Sequence, residues 1–344
     1  MKKIILLFSF LIGSFHSIAQ TNLTKPEASQ RCAIEQRIGL TDIKITYHSP
    51  LTQGRTIWGE LVPYDQVWRA GANENTTISF STNVKVEGKN LAAGTYGLHM
   101  IPTATEWTII FSKNNYSWGS FFYKEKEDAL RVKVKPTSGN LQDWLSYSFN
   151  HPQPNSVVAV LKWEKIEVPI KIEVDVHEIV YGNMHKELDG VAGFFWQGHN
   201  QAATYCIENN IHLDQASVWI DKSITIQKTF TNLSTKANLL DKQGKASEAA
   251  IFRKEALTLA DENQLNTYGY LLMGQKKMNE ALDIFKLNVK KYPESWNVYD
   301  SLAEALENSG NKKEAIKNYK IALTIAPENQ QERIRNTIKK LGGS

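Results

Sequence analysis

The spacing of apolar residues changes near Asp175, and that change divides the chain before any motif is considered. From Arg37 to Val174 the apolar positions alternate: Ile43 and Ile45 against Lys44 and Thr46, Val84 with Val86, Tyr96 with Leu98 and Met100, Trp107 with Ile109 and Phe111. The same alternation runs through Leu130, Val132 and Val134, through Leu145, Tyr147 and Phe149, through Val157, Ala159, Leu161 and Trp163, and through Val168, Ile170, Ile172 and Val174. A run of this kind gives a strand one buried and one wetter face. About nine such runs, separated by turns such as Glu87-Gly88-Lys89-Asn90 and Ser138-Gly139-Asn140, predict a β-sandwich over residues 31–176, with a closed barrel as the alternative. Pro169 falls inside the last run and predicts an edge strand there, since proline lacks the N–H that a central ladder requires.

Past Asp175 the pattern is helical. Residues His177 to Leu188 fit one linking helix, stopped by Asp189-Gly190, and Gly193-Phe194-Phe195-Trp196 is expected to be a buried hinge plug, so 177–196 joins the two regions. From Gln197 the chain repeats. Tyr299, Leu302, Ala303, Leu306, Ala315, Tyr319, Ala322 and Pro327 form the last unit, and Leu265, Tyr268, Gly269, Leu272, Ala281, Phe285 and Pro293 the one before it. Asn288 stands where this pattern wants alanine. Looser units surround Leu233, Ala237, Leu240, Gly244, Ala249 and Ala256, and Ala203, Ile207, Ala216, Ile220 and Ser223. The period of about 34 residues resembles that of tetratricopeptide (TPR) repeats, in which small residues let paired helices approach and large ones fill the space between them. Gln330 to Leu341, with apolar Ile334, Ile338 and Leu341, is the expected capping helix of a repeat array spanning 197–341. The fold class is therefore α+β multidomain: an all-β sandwich followed by all-α, TPR-like repeats. The TPR resemblance implies a concave surface for protein or peptide partners; the alternative is an array that only supports the sandwich or builds a homodimer.

Between Gly54 and Phe80 the sandwich region carries GRTIWGELVPYDQVWRAGANENTTISF, too rich in Gly, Pro and Asn for a helix and too polar for a plain strand. A shaped loop on a rigid scaffold is where binding residues concentrate. If Gly71 takes a positive φ, alanine there costs roughly 1 kcal/mol or more; the alternative is a glycine kept for ligand approach or for no local reason. Tyr47-His48-Ser49-Pro50, Gly54-Arg55, Trp58-Gly59, Leu61-Val62-Pro63-Tyr64, Trp68-Arg69, Gly71-Ala72-Asn73-Glu74 and Thr76 resemble the motifs of the bacterial family called domain of unknown function 2911 (DUF2911). Ala93-Gly94-Thr95-Tyr96-Gly97-Leu98, Ile101-Pro102, Trp118-Gly119-Ser120-Phe121-Phe122-Tyr123 and Asp128-Ala129-Leu130-Arg131-Val132 are similar to its other motifs. The resemblance implies an exported protein of the Bacteroidetes group and brings no established activity. Ser49 stands where many members carry arginine, which puts in doubt any ligand contact made by that arginine.

The residues of the block suggest binding before catalysis. Arg55 and Arg69 can fork a carboxylate, a phosphate or a sugar acid, or brace the loop through backbone carbonyls. Asn73, Glu74 and Asn75 can bind sugar hydroxyls or satisfy their own turn. Trp58, Trp68 and Trp118 can stack on a sugar ring or fill the core. The candidate ligand-binding set is Arg55, Trp68, Arg69, Asn73, Glu74, Thr76 and His99, with His99 on the polar face of its strand. His48 and His99 stand alone in their segments, so no metal site, no cofactor and no catalytic set is expected, and a metal-dependent enzyme ranks last. The leading reading is an exported, non-enzymatic binding or scaffolding protein. A carbohydrate-binding module or weak hydrolase built on the Gly54–Phe80 block is the alternative, with a glycan as partner.

The N-terminus gives the address. Lys2 and Lys3, the apolar run Ile4 to Ile12 and the small residues Ser17 and Ala19 predict a secretory signal peptide over 1–19, cleaved before Gln20 and followed by a short tail over 20–30. The expected location is the periplasm or the medium, with no membrane span. The net charge of +4 falls to about +2 without Lys2 and Lys3, which argues against nucleic acid as a partner. Cys32 and Cys206 are expected to be separate, buried and unpaired.

Overall fold

A computed structural model of the protein describes residues 25–343, which form two compact units divided between Val176 and His177. The predicted signal peptide lies outside the described residues.

The first unit holds ten strands: β1 (Gln30–Ile38), β2 (Thr41–Ser49), β3 (Thr77–Phe80), β4 (Val84–Val86), β5 (Lys89–Leu91), β6 (Gly94–Ile101), β7 (Trp107–Ser112), β8 (Asp128–Val134), β9 (Thr137–Gln153) and β10 (Ser156–Glu173). They make an antiparallel six-stranded sheet in the order β1-β2-β3-β6-β7-β8 and a four-stranded sheet in the order β5-β4-β10-β9. Two open sheets, not a closed barrel, share one core. The alternating residues of β2, β6 and β7 (Ile43, Ile45, Leu98, Met100, Ile109, Phe111) are fully buried, as are Leu145, Leu161, Val168 and Ile172 of the second sheet. The Tyr47 and Tyr147 rings meet edge to face across the gap, 4.9 Å between centroids. Period-two patterning thus acts as expected, each strand turning one face inward.

Pro169 is not in an edge strand, because β10 lies between β4 and β9. Its pairing with β9 ends at Glu167 and its pairing with β4 covers only Ile172 and Glu173. The proline sits in the unpaired interval, where a missing N–H breaks no ladder. β1, β3 and β5 lie outside the runs picked out by alternation; β1 is mostly exposed and β5 occupies the expected Gly88-Lys89-Asn90 turn region.

The second unit is helical: α1 (Val176–Leu188), α2 (Trp196–Asn209), α3 (Leu213–Ile226), α4 (Phe230–Lys242), α5 (Ala246–Leu259), α6 (Glu262–Gly274), α7 (Met278–Lys291), α8 (Trp296–Asn308), α9 (Lys312–Ile325) and α10 (Glu328–Lys340). The helices pair consecutively in a TPR-like array, α2 with α3, α4 with α5, α6 with α7 and α8 with α9, and α10 closes the end on buried Ile334 and Ile338. The repeat positions behave as packing predicts. Ala203, Ala249, Ala281, Ala303, Ala315 and Ala322 are almost wholly buried at helix–helix contacts. Capping boxes at Thr229/Asn232 and Asp261/Gln264 start α4 and α6. Pro293 and Pro327 follow the ends of α7 and α9. Asn288 is fully buried on α7, and its amide donates to the Glu262 carbonyl at 3.1 Å, which accounts for its departure from alanine. Phe194 and Phe195 are exposed, at 77% and 58%, so the Gly193–Trp196 run is not the buried plug its composition suggests. A single turn of 3-10 helix, Val191–Phe194, has too little packing surface of its own to cover them. Both cysteines are free; Cys206 is buried, which pushes its thiol pKa up, whereas Cys32 on the exposed β1 is only half-buried.

Candidate functional site

The Gly54–Phe80 block folds as a loop pinned along its length. Trp68 exchanges both backbone hydrogen bonds with Met100 at 2.8 Å, Asp65 N donates to the Pro102 carbonyl at 2.9 Å, and Asn75 N to the Ser117 carbonyl at 3.1 Å. Its bends use positive φ at Gly54, Gly59, Asp65, Ala70 and Asn73. Gly71 does not have positive φ. A Cβ there would lie 2.5 Å from Thr76 Oγ1 and 3.2 Å from the His48 carbonyl, so glycine is required for close approach.

Three of the seven predicted ligand residues, Arg55, Thr76 and Trp68, are engaged in bracing the loop or packing its core. The Arg55 guanidinium donates to the carbonyls of Thr52 (2.9 Å) and Leu51 (2.6 Å). Thr76 is fully buried and donates to the Ala70 carbonyl. Trp68 belongs to a core cluster: it stacks on Trp163 at 6.0 Å, and Trp58 packs edge-on to Trp68, Trp107 and Trp163. Arg69 lies half-buried against the Trp118 ring at 5.8 Å, where burial lowers its pKa, and its Nε has no partner among the described residues. Arg55 and Arg69 therefore serve different partners and form no fork. Ser49 donates to the Leu145 carbonyl at 2.6 Å and ties the two sheets together.

His99 is buried, contrary to its expected place on an open polar face, because the segment between β7 and β8 folds over that face of β6. Its Nδ1 lies 2.9 Å from Ser120 Oγ and its ring 5.3 Å from that of Tyr123. Burial lowers its pKa to about 4, with the Asp128 charge opposing in part. A neutral imidazole beside a hydroxyl is the geometry of a nucleophile–base pair, which a third group must orient. The carboxylate that would orient it is engaged elsewhere: Asp128 Oδ2 accepts from Tyr123 (2.8 Å) and Arg131 (2.5 Å). Burial, reinforced by Asp128, holds the Tyr123 hydroxyl up at about 12.

Two features face outward. The covering segment ends in an aromatic tip: Trp118 and Phe121 lie parallel, 5.9 Å apart and 8° between planes, and both are exposed together with Tyr116 and Phe122. Beside it, where Glu74 bridges Trp118, opens a hollow of about 420 Å³ lined by Glu27, Arg31, Thr46, His48, Glu74 and Asn75. His48 Nε2 lies 3.3 Å from Glu27 Oε2 and 3.4 Å from Glu74 Oε2, and Asn73 Nδ2 donates to the same Glu27 oxygen at 2.8 Å. Of the predicted set, the structure brings Asn73 and Glu74 to this hollow. Glu27 and Arg31 lie outside the motif block, and His48 was read as solitary. Its alternation with Ile43, Ile45 and Tyr47 is the one signal that puts its side chain on the outer face of β2.

In the helical unit a groove of about 400 Å³ opens between α4, α5 and α6. Half-buried Phe230, Leu257 and Tyr268 give it an apolar floor, and Leu271, Asn238 and Asn263 line it as exposed residues.

Residues 29–172 match the family described as "Protein of unknown function (DUF2911)". The DUF2911 match spans the two sheets and the whole pinned loop. Solved structures similar to part of the chain include one described as a TPR protein. YrrB, described as a TPR protein with an unusual peptide-binding site, is 15% identical over 47% of this chain and 84% of its own, with a TM-score of 0.29. A MamA structure is 14% identical over 46% and 85%, with a TM-score of 0.30. The pilF protein of Pseudomonas aeruginosa is 18% identical over 42% and 67%, with a TM-score of 0.28. No curated protein matches the chain.

Proposed function

We propose that the protein is an exported binding or scaffolding protein whose helical repeats hold an extended peptide segment of a partner. The observation that supports this reading is the α4–α6 groove. Its size suits several side chains, and its apolar floor with polar rim is the composition of a binding cleft. Exposed Asn238 and Asn263 each offer a donor and an acceptor, the pair that a peptide backbone presents in return. The DUF2911 unit would then act as a second binding module, outside the cytoplasm once the signal peptide is cleaved.

The test is selection of displayed random peptides on the full mature chain, followed by titration of the enriched peptides. Thr267 is exposed at the groove, so Thr267→Trp fills it without entering the core. Binding weakened about tenfold or more, with an unchanged melting temperature, is expected. Unchanged affinity, or no enrichment, would overturn the reading. Amino-terminal sequencing of protein recovered from outside the cytoplasm should begin at Gln20.

The exposed, parallel Trp118 and Phe121 rings favour a second reading, in which the DUF2911 unit binds a glycan by stacking. Glycan-array binding that disappears in Trp118→Ala supports it; binding that survives assigns the tip to another use.

A further inference from the structure

The hollow beside the signature loop has the donor set and the dimensions of a metal site. We propose that His48, Glu27 and Glu74 bind one divalent transition-metal cation of the zinc class, with a fourth position open to the hollow.

The argument is geometric. A tetrahedral ion with bonds of about 2.0–2.1 Å sets its donor atoms about 3.3–3.4 Å apart. The two His48 Nε2 to carboxylate oxygen distances are 3.3 and 3.4 Å, and all three donor atoms lie within 4.8 Å of one another. Charge-assisted hydrogen bonds between the same groups would close to about 2.7–2.9 Å. The histidine is no solvated surface residue: its side chain is only 9% exposed, with Nε2 turned to the two carboxylates. Asn73 donates to the Glu27 oxygen that faces the histidine, the kind of outer contact that fixes a ligand's orientation.

The charge balance also favours a cation. The groups facing His48 are Glu27 from the segment before β1, Glu74 from the loop, and Arg31, its cross-strand neighbour on β1. The two carboxylates outnumber the one guanidinium that lines the hollow with them. Nitrogen and oxygen donors in this ratio suit zinc, manganese or iron over calcium, which takes oxygen alone. Bound there, the ion would join the segment before β1 to the loop and leave one coordination position for a ligand. This inference is independent of the peptide groove.

The experiment uses untagged full-length mature protein, stripped with a chelator and titrated with zinc by calorimetry at neutral pH. One site per chain is expected, with a rise in melting temperature that the chelator reverses. Cobalt in place of zinc should give the visible absorption bands of a tetrahedral site. Glu27 and Glu74 are exposed, so Glu27→Gln and Glu74→Gln should leave the stripped protein's melting temperature unchanged while weakening zinc by about tenfold or more. Failure to bind zinc, cobalt or manganese at millimolar concentration, or undiminished binding in both glutamine variants, would overturn the proposal and leave His48 as an ion-pairing residue.

Discussion

Gly269 offers the sharpest test of how the repeats hold together. It lies within α6, where glycine is the poorest residue short of proline, and alanine would gain about 1 kcal/mol on helix propensity alone. Packing opposes that gain. A Cβ at Gly269 would lie 2.6, 2.7 and 2.9 Å from Cζ, Cε1 and Cε2 of Phe285, whereas carbon atoms settle at about 3.5–4.0 Å. The ring has little room to yield, because Phe285 is fully buried on α7 and packs edge-on to Tyr270 at 5.2 Å. Overfilling a close-packed site costs about 1–3 kcal/mol, so Gly269→Ala should be net destabilising by about 1 kcal/mol. Gly274 closes the same helix with nothing within 4 Å of its Cβ position, and Gly274→Ala should stabilise by up to about 1 kcal/mol. Urea unfolding followed by the helical circular dichroism signal measures both. In a double-mutant cycle, Phe285→Leu should rescue part of the Gly269→Ala loss, since the two share one contact. Gly269→Ala proving as stable as Gly274→Ala, or additive with Phe285→Leu, would refute the claim that a glycine–phenylalanine contact sets the α6–α7 spacing.

Gly71→Ala should destabilise by about 1–3 kcal/mol in thermal melts through its clash with Thr76 Oγ1, with partial rescue by Thr76→Ala. Trp163→Ala opens the four-tryptophan cluster and should cost about 3–5 kcal/mol by denaturant unfolding. His99 makes stability pH-dependent with a definite sign. Its folded pKa of about 4 lies below the ordinary 6.5, so its contribution is complete above pH 6.5 and is lost as pH falls towards 4. The loss approaches about 3 kcal/mol, and His99→Gln should flatten the stability difference between pH 7 and pH 5. Trp118→Ala removes the Arg69 and Phe121 contacts of a half-exposed ring and should cost about 0.5–1 kcal/mol in thermal melts, little enough for the variant to serve as a folded probe of binding.

The architecture was legible because it is written in periods. Alternation at Ile43–Tyr47 or Leu98–Phe111 needs no tertiary knowledge to name a buried face, and Gly269, Ala281 and Phe285 announce a helix pair by size alone. Where reading failed, a neighbour in space had overruled the local pattern. Pro169 suggests an edge strand to any rule that sees one strand at a time. In the sheet it occupies a gap between two partners, which only the register of β4 and β9 on β10 reveals. His99 alternates onto an outer face as expected, but residues 113–127 cover that face, and coverage by a distant segment leaves no mark on β6 itself.

The candidate site was illegible for a stronger version of the same reason. Motif reading rewards residues crowded in sequence, and the Gly54–Phe80 block is crowded because a long irregular loop must satisfy its own backbone. Arg55 is bonded to Leu51 and Thr52, Thr76 to Ala70, and Trp58 and Trp68 are absorbed into the cluster at Trp163. Thr76, Trp58 and Trp68 are held inside the fold by these contacts, while Arg55 spends two of its five N–H donors on them. The side chains with spare donor atoms come from three separate segments: Glu27 before the first strand, His48 at the end of the second, and Glu74 from the loop. Glu74 stands out in its own stretch, but Glu27 and His48 do not mark themselves as its partners, and the three converge only because β1 pairs β2 in the register that sets Arg31 opposite His48 while the loop returns past both. The braced residues give the loop its rigidity, and that rigidity holds Asn73 and Glu74 in place over His48. Bracing and binding are thus two consequences of one construction, divided between the residues the motif displays and those the fold assembles.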